Sequence, residues 1–276
     1  MAGVCASVFA VMVLACSAVK AADLIYGVDT AGNLLDFSSA SPGNLIDASA
    51  IQGLQINEQI RGIDIINGTL YGLGSFSDLY TLNTGALFGH ATLVSTFTPE
   101  LNGINFAFNS GPSLLYVASD NGQNLSLTTA GVATAGPTLS YAAGDVNAGA
   151  QGALDSMAYN YANGVFYGFD GKNSSYVSYN PVTGVLHTIA TGVNVAARSG
   201  LDISPSTGIE YLATVPSGGS ASSLYTVNIG TGAETLVGVI GDPNPLQTIA
   251  VVPEPGSASL LAFGVLVMLM RLRRSK

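Results

Sequence analysis

Two aspartates and two arginines recur at matching positions in this sequence and are the side chains best suited to chemistry. Asp64 and Asp202 each follow a glycine and one large apolar residue, and Arg61 and Arg198 precede them by three and four residues. Glycoside hydrolysis requires two carboxylates that face one cleft. The alternative is that each aspartate binds backbone amides beside its strand and each arginine balances a neighbouring charge. These four residues are therefore the candidate ligand-facing side chains.

Other catalytic and metal-binding patterns are missing from the sequence. The two histidines, His90 and His187, have no carboxylate at metal-ligand spacing beside them, which indicates structural or surface roles. No His-Glu-x-x-His motif, EF-hand loop, nucleophile elbow or phosphate loop occurs. Both cysteines, Cys5 and Cys16, precede residue 23, so the remaining chain has no thiol ligand. We expect no catalytic residue, no metal and no cofactor.

The C-terminal segment has three distinct parts in order. Pro253, Glu254 and Pro255 come first, an apolar run from Ala258 to Met270 follows, and a basic segment ends the chain. The apolar run is shorter than the roughly 18–20 residues that span a bilayer comfortably. With its flanking residues it can cross a thin bilayer, and the basic tail then places its end in the cytoplasm. A simple tail anchor is the alternative interpretation.

In order and spacing, these three parts resemble the PEP-CTERM sorting signal of Gram-negative bacteria that make exopolysaccharide. The resemblance covers residues 252–276. It implies a partner, an exosortase-type membrane transpeptidase, which recognises Pro253, Glu254 and Pro255 and removes the hydrophobic tail. The chemistry then belongs to that enzyme, and the membrane is contacted through the C-terminal helix before processing.

The first 22 residues have the pattern of an export signal. An apolar stretch runs from Val4 to Leu14, and the small residues that end at Ala22 predict cleavage after Ala21 or Ala22. No lysine or arginine precedes the apolar stretch. The alternatives are a buried N-terminal helix and a lipoprotein signal in which Cys16 is acylated.

The charge of the central region excludes one class of partner. Between residues 23 and 254, three basic residues stand against all 17 acidic residues of the chain, which gives a formal charge of −14. Such a surface repels phosphate backbones, so we expect no nucleic-acid binding. The 34 glycines, together with plentiful apolar residues, indicate short strands joined by tight turns rather than disorder.

A repeated unit predicts the architecture that positions these residues. Each unit contains an aromatic strand, and its tyrosines are spaced by 45, 45, 51 and 44 residues. These tyrosines are Tyr26, Tyr71, Tyr116, Tyr167 and Tyr211. A period of this size, with about four strands in each unit, is typical of propeller blades. Asn67-Gly68 and Asn163-Gly164 have the composition of hairpin turns between the first two strands of a unit.

The two ends of the repeat region predict a closed ring. Four aromatic strands follow another short strand, but the first aromatic strand, at residues 24–28, has no such predecessor. An equivalent apolar strand occurs at the other end, from Thr248 to Val252. Pairing of these two strands would remove the exposed sheet edges. The sequence therefore predicts an all-β, five-bladed β-propeller over residues 23–252, followed by a sorting segment at 253–276. An open sheet or sandwich is the alternative.

The repeat region also resembles a family of secreted bacterial proteins, the family numbered four-three-nine-four among domains of unknown function. The resemblance is carried by Leu70-Tyr71 after Gly62-Ile63-Asp64, Phe106-Ala107-Phe108-Asn109, Gly122-Gln123-Asn124-Leu125, and Leu224-Tyr225-Thr226-Val227 with Thr231-Gly232. The family usually has basic residues after the Phe-Asn and Gln-Asn-Leu segments, whereas this chain has Ser110 and Ser126 there. The resemblance implies no activity.

Together these features predict an exported protein of the cell envelope or extracellular matrix, with a non-enzymatic structural or binding role. After transient anchoring in the inner membrane, it would reach the surface or the extracellular space. The alternative is a carbohydrate-binding or glycoside-acting propeller at the cell surface. An extracellular polysaccharide is accordingly a second candidate partner.

Overall fold

The structure, a computed structural model, describes residues 22–193, 196 and 199–253. In these residues the chain forms 21 strands in five sheets. The sheets follow one another around a common axis, so the predicted five-bladed β-propeller is confirmed. The strands are, in chain order, β1 Leu24–Asp29, β2 Asn33–Ser38, β3 Leu45–Ala50, β4 Ile60–Ile66, β5 Thr69–Gly74, β6 Asp78–Leu82, β7 Ala91–Thr96, β8 Phe106–Ser110, β9 Leu115–Ser119, β10 Asn124–Leu127, β11 Ala133–Ala135, β12 Ser140–Tyr141, β13 Leu154–Asn160, β14 Val165–Asp170, β15 Ser175–Asn180, β16 Val185–Thr191, β17 Gly200–Ile203, β18 Glu210–Thr214, β19 Ser223–Val227, β20 Glu234–Val239 and β21 Leu246–Val251.

In blades 2 to 5 four antiparallel strands follow one another outward from the axis in chain order. Blade 2 contains β4 to β7, blade 3 contains β8 to β11, and blade 5 contains β17 to β20. Blade 4 contains β13 to β16, and the two-residue strand β12 adds a parallel strand outside β16. The innermost strands of the five blades contact one another around the axis; they are β21, β4, β8, β13 and β17.

Blade 1 joins the two ends of the repeat region. Its innermost strand, β21, pairs antiparallel with β1, with Tyr26 opposite Ala250. The backbone N–H of Val252 then donates to the carbonyl of Leu24 at 2.9 Å. The predicted closure is therefore confirmed, and the closing strand begins at Leu246, two residues before its predicted start.

Five apolar clusters stabilise the ring, each lying between two neighbouring blades. Val28 of blade 1 packs in one cluster with Ile63 of blade 2, and Met157 of blade 4 packs in another with Ala107 of blade 3. Strand alternation explains this arrangement, because successive side chains of a strand point to opposite faces of its sheet. Both faces of each blade are therefore covered by the adjacent blades.

The two predicted hairpin turns differ in length and geometry. Asn67 and Gly68 have φ of 53° and 77°, as a two-residue type I′ turn requires. In the second hairpin, Gly164 has φ of 73° and its N–H donates to the carbonyl of Asn160 at 2.8 Å. That turn is longer, and its left-handed position is filled by glycine alone.

The predicted signal peptide and sorting tail fall almost entirely outside the described residues, which exclude 1–21 and 254–276. Of the predicted site residues, Arg198, Glu254 and Pro255 also lie outside the described residues, whereas Pro253 is described and exposed. Among the described residues, no helix is both long enough and apolar enough to cross a membrane.

Candidate functional site

Asp64 and Asp202 occupy equivalent positions on innermost strands. One residue of each innermost strand lies directly opposite a repeat tyrosine; from blade 1 to blade 5 these residues are Ala250, Asp64, Asn109, Ala158 and Asp202. Three blades thus present a polar side chain at one level around the axis. The alanines of the other two blades leave room for these larger side chains.

Asp202 connects its own blade to two others through short hydrogen bonds. Its Oδ2 accepts from the backbone N–H of Val251 in blade 1 at 2.6 Å, and its Oδ1 accepts from Asn109 Nδ2 in blade 3 at 3.0 Å. Asn109 Oδ1 in turn accepts from the backbone N–H of Tyr159 in blade 4 at 2.9 Å. This network therefore joins blades 5, 1, 3 and 4 at the axis.

Asp64 connects blades 2 and 3 in a similar way. Its carboxylate accepts from the backbone N–H of Ile65 at 2.7 Å and from the backbone N–H of Ser110. The hydroxyl of Ser110 donates to the carbonyl of Ile65 at 3.0 Å and lies 3.4 Å from the hydroxyl of Tyr161. Both sequence-predicted aspartates thus bind backbone amides of adjacent innermost strands.

Burial disfavours the ionised forms of the two aspartates because water is excluded from them. Burial raises the pKa of Asp64 to about 6. Burial also raises the pKa of Asp202 well above its ordinary value, and the negative charge of Asp64 adds to that effect. Raised carboxylate pKa values are common at catalytic sites but also occur in structural networks. A small cavity among the innermost strands, beside Ser156, Gly200 and Thr248 and lined by neither Asp64 nor Asp202, measures about 10 Å³, room for about one water.

Arg61 lies near the start of β4, three residues before Asp64. Its Nη1 donates to Oε1 of Gln247 on β21 at 3.5 Å, and Gln247 Nε2 donates to the carbonyl of Ile60 at 2.7 Å. We call this side, where the innermost strands begin, the amino face, and the opposite side the carboxyl face. The structure places Arg61 at the amino face, whereas the Asp64 network reaches Tyr161 beyond the end of β13.

Buried carboxylates elsewhere in the ring accept hydrogen bonds from tyrosine hydroxyls. The pairs are Tyr80 with Glu58 at 2.5 Å, Tyr141 with Asp170 at 2.7 Å, Tyr176 with Glu210 at 2.6 Å and Tyr211 with Asp23 at 2.9 Å. Burial and the adjacent Asp23 raise the pKa of Tyr211 to about 12. Tyrosine is a donor suited to a region with three basic residues, because it satisfies a carboxylate without adding charge.

A cleft that sequence reasoning missed opens on the carboxyl face between blades 3 and 4. It consists of two adjoining cavities of about 410 and 300 Å³, which share Tyr116, Pro181 and Val182 as walls. Phe166 lies at its base, 3% exposed. Three tyrosine rings surround Phe166, with centroid distances of 5.0 Å to Tyr116, 4.8 Å to Tyr159 and 5.9 Å to Tyr179.

Hydrogen bonds across the two blades hold the cleft in shape. The hydroxyl of Tyr179 donates to Asn124 Oδ1 at 2.6 Å, and Asn124 Nδ2 donates to the carbonyls of Pro137 and Pro181 at 3.0 and 2.9 Å. Asn124 is 3% exposed, so these bonds are shielded from water. The wall at Pro181 is therefore fixed to blade 3 although it belongs to blade 4.

No group of three or more histidine, cysteine, aspartate or glutamate side chains able to hold a metal ion occurs among the described residues. The sequence signal for the axial network was present in the repeat, because Asn109 holds the same repeat position as Asp64 and Asp202. The cleft had no such signal, since Asn124 and Pro181 meet across 57 residues of chain.

Comparison with solved structures gives the fold. A chain of a nidogen/laminin complex has 10% identity and a TM-score of 0.50, with 84% of this chain and 98% of that chain covered. Glutaminyl cyclase of Myxococcus xanthus has 13% identity and a TM-score of 0.44, with 65% and 76% covered. The protein YCF48 bound to a D1 peptide has 10% identity and a TM-score of 0.42, with 76% and 62% covered.

No curated protein matches the chain. A family model does match, over residues 33–250, which is most of the propeller. Those residues include both cavities of the cleft and the axial network apart from Val251. The chain therefore belongs to the family described as a domain of unknown function, DUF4394.

Proposed function

We propose that this chain is an exported cell-envelope protein, sorted through Pro253, Glu254 and Pro255, whose propeller has a non-enzymatic binding or structural role. The observation that carries the proposal is the position of ring closure. Within residues 22–253, the last backbone bond between the two ends of the ring is Val252 N–H to Leu24, and the exposed Pro253 follows directly. A transpeptidase that cuts at this motif would remove the tail without removing a strand.

The start of the ring supports export in the same way. Cleavage after Ala22 would leave Asp23 as the first residue, and Asp23 is fully buried. Its carboxylate accepts from Ser204 at 2.8 Å and from Tyr211 at 2.9 Å, both in blade 5. The predicted mature chain would therefore keep the first side chain on which the junction of blades 5 and 1 depends.

The hydrogen bonds of the axial carboxylates support a non-enzymatic role. Asp64 and Asp202 are 4% and 5% exposed, and each accepts backbone N–H groups from two innermost strands. These contacts favour a role for the two aspartates in holding the blades together over a role in glycoside hydrolysis.

Replacement of Pro253, Glu254 and Pro255 by alanine in the full chain tests the sorting proposal. We expect the variant to remain full-length in the inner membrane, while the unaltered chain loses its tail and leaves that membrane. Fractionation combined with mass measurement of the C-terminus reads the outcome. A Glu100→Ala variant, which removes an exposed acidic side chain elsewhere, should be processed normally. Normal processing of the triple-alanine chain would refute the proposal.

A further inference from the structure

We propose that the cleft between blades 3 and 4 binds a segment of a neutral polysaccharide. The proposal deepens the proposed function by naming a ligand class, and it relies on that function only for the place where protein and ligand meet. It places carbohydrate binding at the carboxyl face, away from Asp64 and Asp202, where the cavities measure about 410 and 300 Å³. Small-molecule sites commonly enclose about 300–1,000 Å³.

The equivalent space between blades 1 and 2 shows what the cleft can hold. Tyr26 is the repeat equivalent of Tyr116, and a side chain of the neighbouring blade, Phe88, covers it at a centroid distance of 6.3 Å. Phe88 lies between β6 and β7, the connection that corresponds to Pro181-Val182 in blade 4. In blade 4 that connection leaves Tyr116 partly exposed. The repeat geometry therefore offers a ring-sized space against the tyrosine.

The rings of the cleft present both apolar surface and hydroxyl groups. Tyr116 and Tyr159 are partly exposed, and no hydrogen bond to either hydroxyl is found within the described part of the chain. Phe166 fixes both rings by edge or tilted contacts of 5.0 and 4.8 Å. Rigid aromatic rings with one polar end bind a ligand at low entropic cost. A sugar ring matches such a surface, because it has C–H faces and a hydroxyl periphery.

Charge selects against acidic ligands at this cleft. Neither cavity is lined by an aspartate, glutamate, lysine or arginine, although residues 23–254 contain 17 acidic side chains. An anionic polysaccharide would find no lysine or arginine in the cleft, where His187 is the basic side chain of the lining, and would be repelled by the −14 charge of residues 23–254. An uncharged polysaccharide needs no charged partner and is not repelled.

Polar side chains at the rim of the cleft favour a sugar over a proline-rich peptide, which is another ligand of aromatic grooves. Ser178 and Asn180 line the larger cavity, and hydroxyl and amide groups both donate and accept. Sugar hydroxyls also do both. Proline has no N–H, so a proline-rich backbone mainly accepts and would leave the acceptors of the rim without partners.

Calorimetric titration of the purified full chain in detergent tests the proposal. The probes are the hexasaccharides of β-1,4-glucose, β-1,3-glucose, α-1,6-glucose and β-1,4-mannose, with hexagalacturonate as the anionic probe and a decaproline peptide. We expect at least one neutral hexasaccharide to bind, and Tyr116→Ala to weaken it about tenfold or more, as removal of an aromatic anchor does. Tyr159→Phe should weaken binding less, because it keeps the ring.

Tyr71→Ala provides the matched control, since Tyr71 holds the repeat position of Tyr116 in blade 2 and is also partly exposed. It should bind like the unaltered chain, with thermal unfolding confirming that all variants are folded. Equal weakening by Tyr71→Ala and Tyr116→Ala, binding of decaproline or hexagalacturonate instead, or no neutral binding at all would each overturn the proposal. Membrane fractionation is a separate measurement, so failure of binding leaves the sorting proposal standing, and failure of sorting leaves the binding result standing.

Discussion

Glu210 is 1% exposed and accepts one hydrogen bond, from the hydroxyl of Tyr176 at 2.6 Å. Its Oε1 is buried and has no hydrogen-bond partner among the described residues. Burial raises the pKa of Glu210 to about 8, although the Tyr176 hydroxyl opposes the rise. The side chain is therefore largely protonated at neutral pH, and ionising it inside the ring costs free energy.

This environment predicts that Glu210→Gln stabilises the protein increasingly as the pH rises. The folded state holds a proton that the unfolded chain releases near its ordinary pKa of 4.5, so stability is fully present below that pH and falls toward about pH 8. The free energy of unfolding of the unaltered protein falls by an amount on the order of 3–5 kcal/mol across this pH range. Glutamine keeps an acceptor for Tyr176 and has no charge to bury. Thermal midpoints of both proteins from pH 5 to pH 9 should therefore diverge.

Glu100→Gln is the control for this comparison, because Glu100 is exposed. Its midpoint should follow that of the unaltered protein at every pH. A Glu210→Gln midpoint that differs by the same amount at pH 5 and pH 9 would contradict the burial of a proton at this position.

At the scale of the strand, glycines set how closely the innermost strands approach. A Cβ added to Gly200 on β17 would lie 2.4 Å from the backbone nitrogen of Ile249 and 2.6 Å from the carbonyl carbon of Thr248, both on β21. Gly62 on β4 is equally close to blade 3, at 2.3 Å from Phe108 Cβ. Both glycines stand two residues before an axial aspartate, so the repeat keeps a small residue where neighbouring blades touch.

Gly200→Ala should therefore destabilise the ring by about 1–3 kcal/mol or more, because backbone atoms cannot turn aside as a flexible side chain does. Urea unfolding measures the change. In Gly85→Ala, the added Cβ lies 3.7 Å from Asn83 Oδ1, and this variant should stay within about 0.5 kcal/mol of the unaltered protein. Similar midpoints for the two variants would show that β17 and β21 are not packed as described.

The strands could be predicted to the extent that each one repeats a pattern. The repeat tyrosines and the apolar residues around them predicted the innermost and second strands, because alternation over five or six residues has one interpretation. Strand β12 has two residues, Ser140 and Tyr141, and so contains no period to read. It forms because it pairs parallel with β16, a contact set by tertiary structure.

The repeat also predicted part of the candidate site, and the contacts set by tertiary structure were again missed. Asp64 and Asp202 were found because they share a repeat position. Asn109 shares it too, but an amide gives no catalytic signal, so its role in linking Asp202 to Tyr159 required the structure. The aromatic cleft depends on how blade 4 is rotated against blade 3, and no local pattern encodes that angle.

At the scale of the whole molecule, one strand determines whether the five sheets form a ring. Every residue of β21, from Leu246 to Val251, is buried. It pairs with β1 and also contacts β4 and β17, the innermost strands of blades 2 and 5. Thr248 Oγ1 accepts from the backbone N–H of Ile63 at 3.1 Å, and Val251 N–H binds Asp202. Blades 1, 2 and 5 thus depend on a segment that the chain supplies last.

Removing β21 should consequently cost more than removing everything that follows it. A chain of residues 23–252 should unfold at the same temperature as the tailed protein, because the last bond of the ring is made by Val252. A chain of residues 23–241 loses the burial of Leu246, Ile249 and Val251, at about 1.5–3 kcal/mol for each large side chain. It also leaves Asp202 without its partner in blade 1. The summed loss approaches the whole stability of many domains, about 5–15 kcal/mol.

Thermal unfolding of residues 23–252 and 23–241 should therefore show a cooperative transition for the first chain and a much lower or missing one for the second. A synthetic peptide of residues 242–252 provides the decisive addition, because it can occupy the exposed edge of β1 in trans. If β21 closes the ring, this peptide restores the transition in proportion to its concentration, as a ligand of the native state does. A peptide with proline in place of Ala250 should restore less, since it lacks the N–H that faces Tyr26 across the pair. Equal midpoints for the two chains without peptide would mean that the blades hold together without closure.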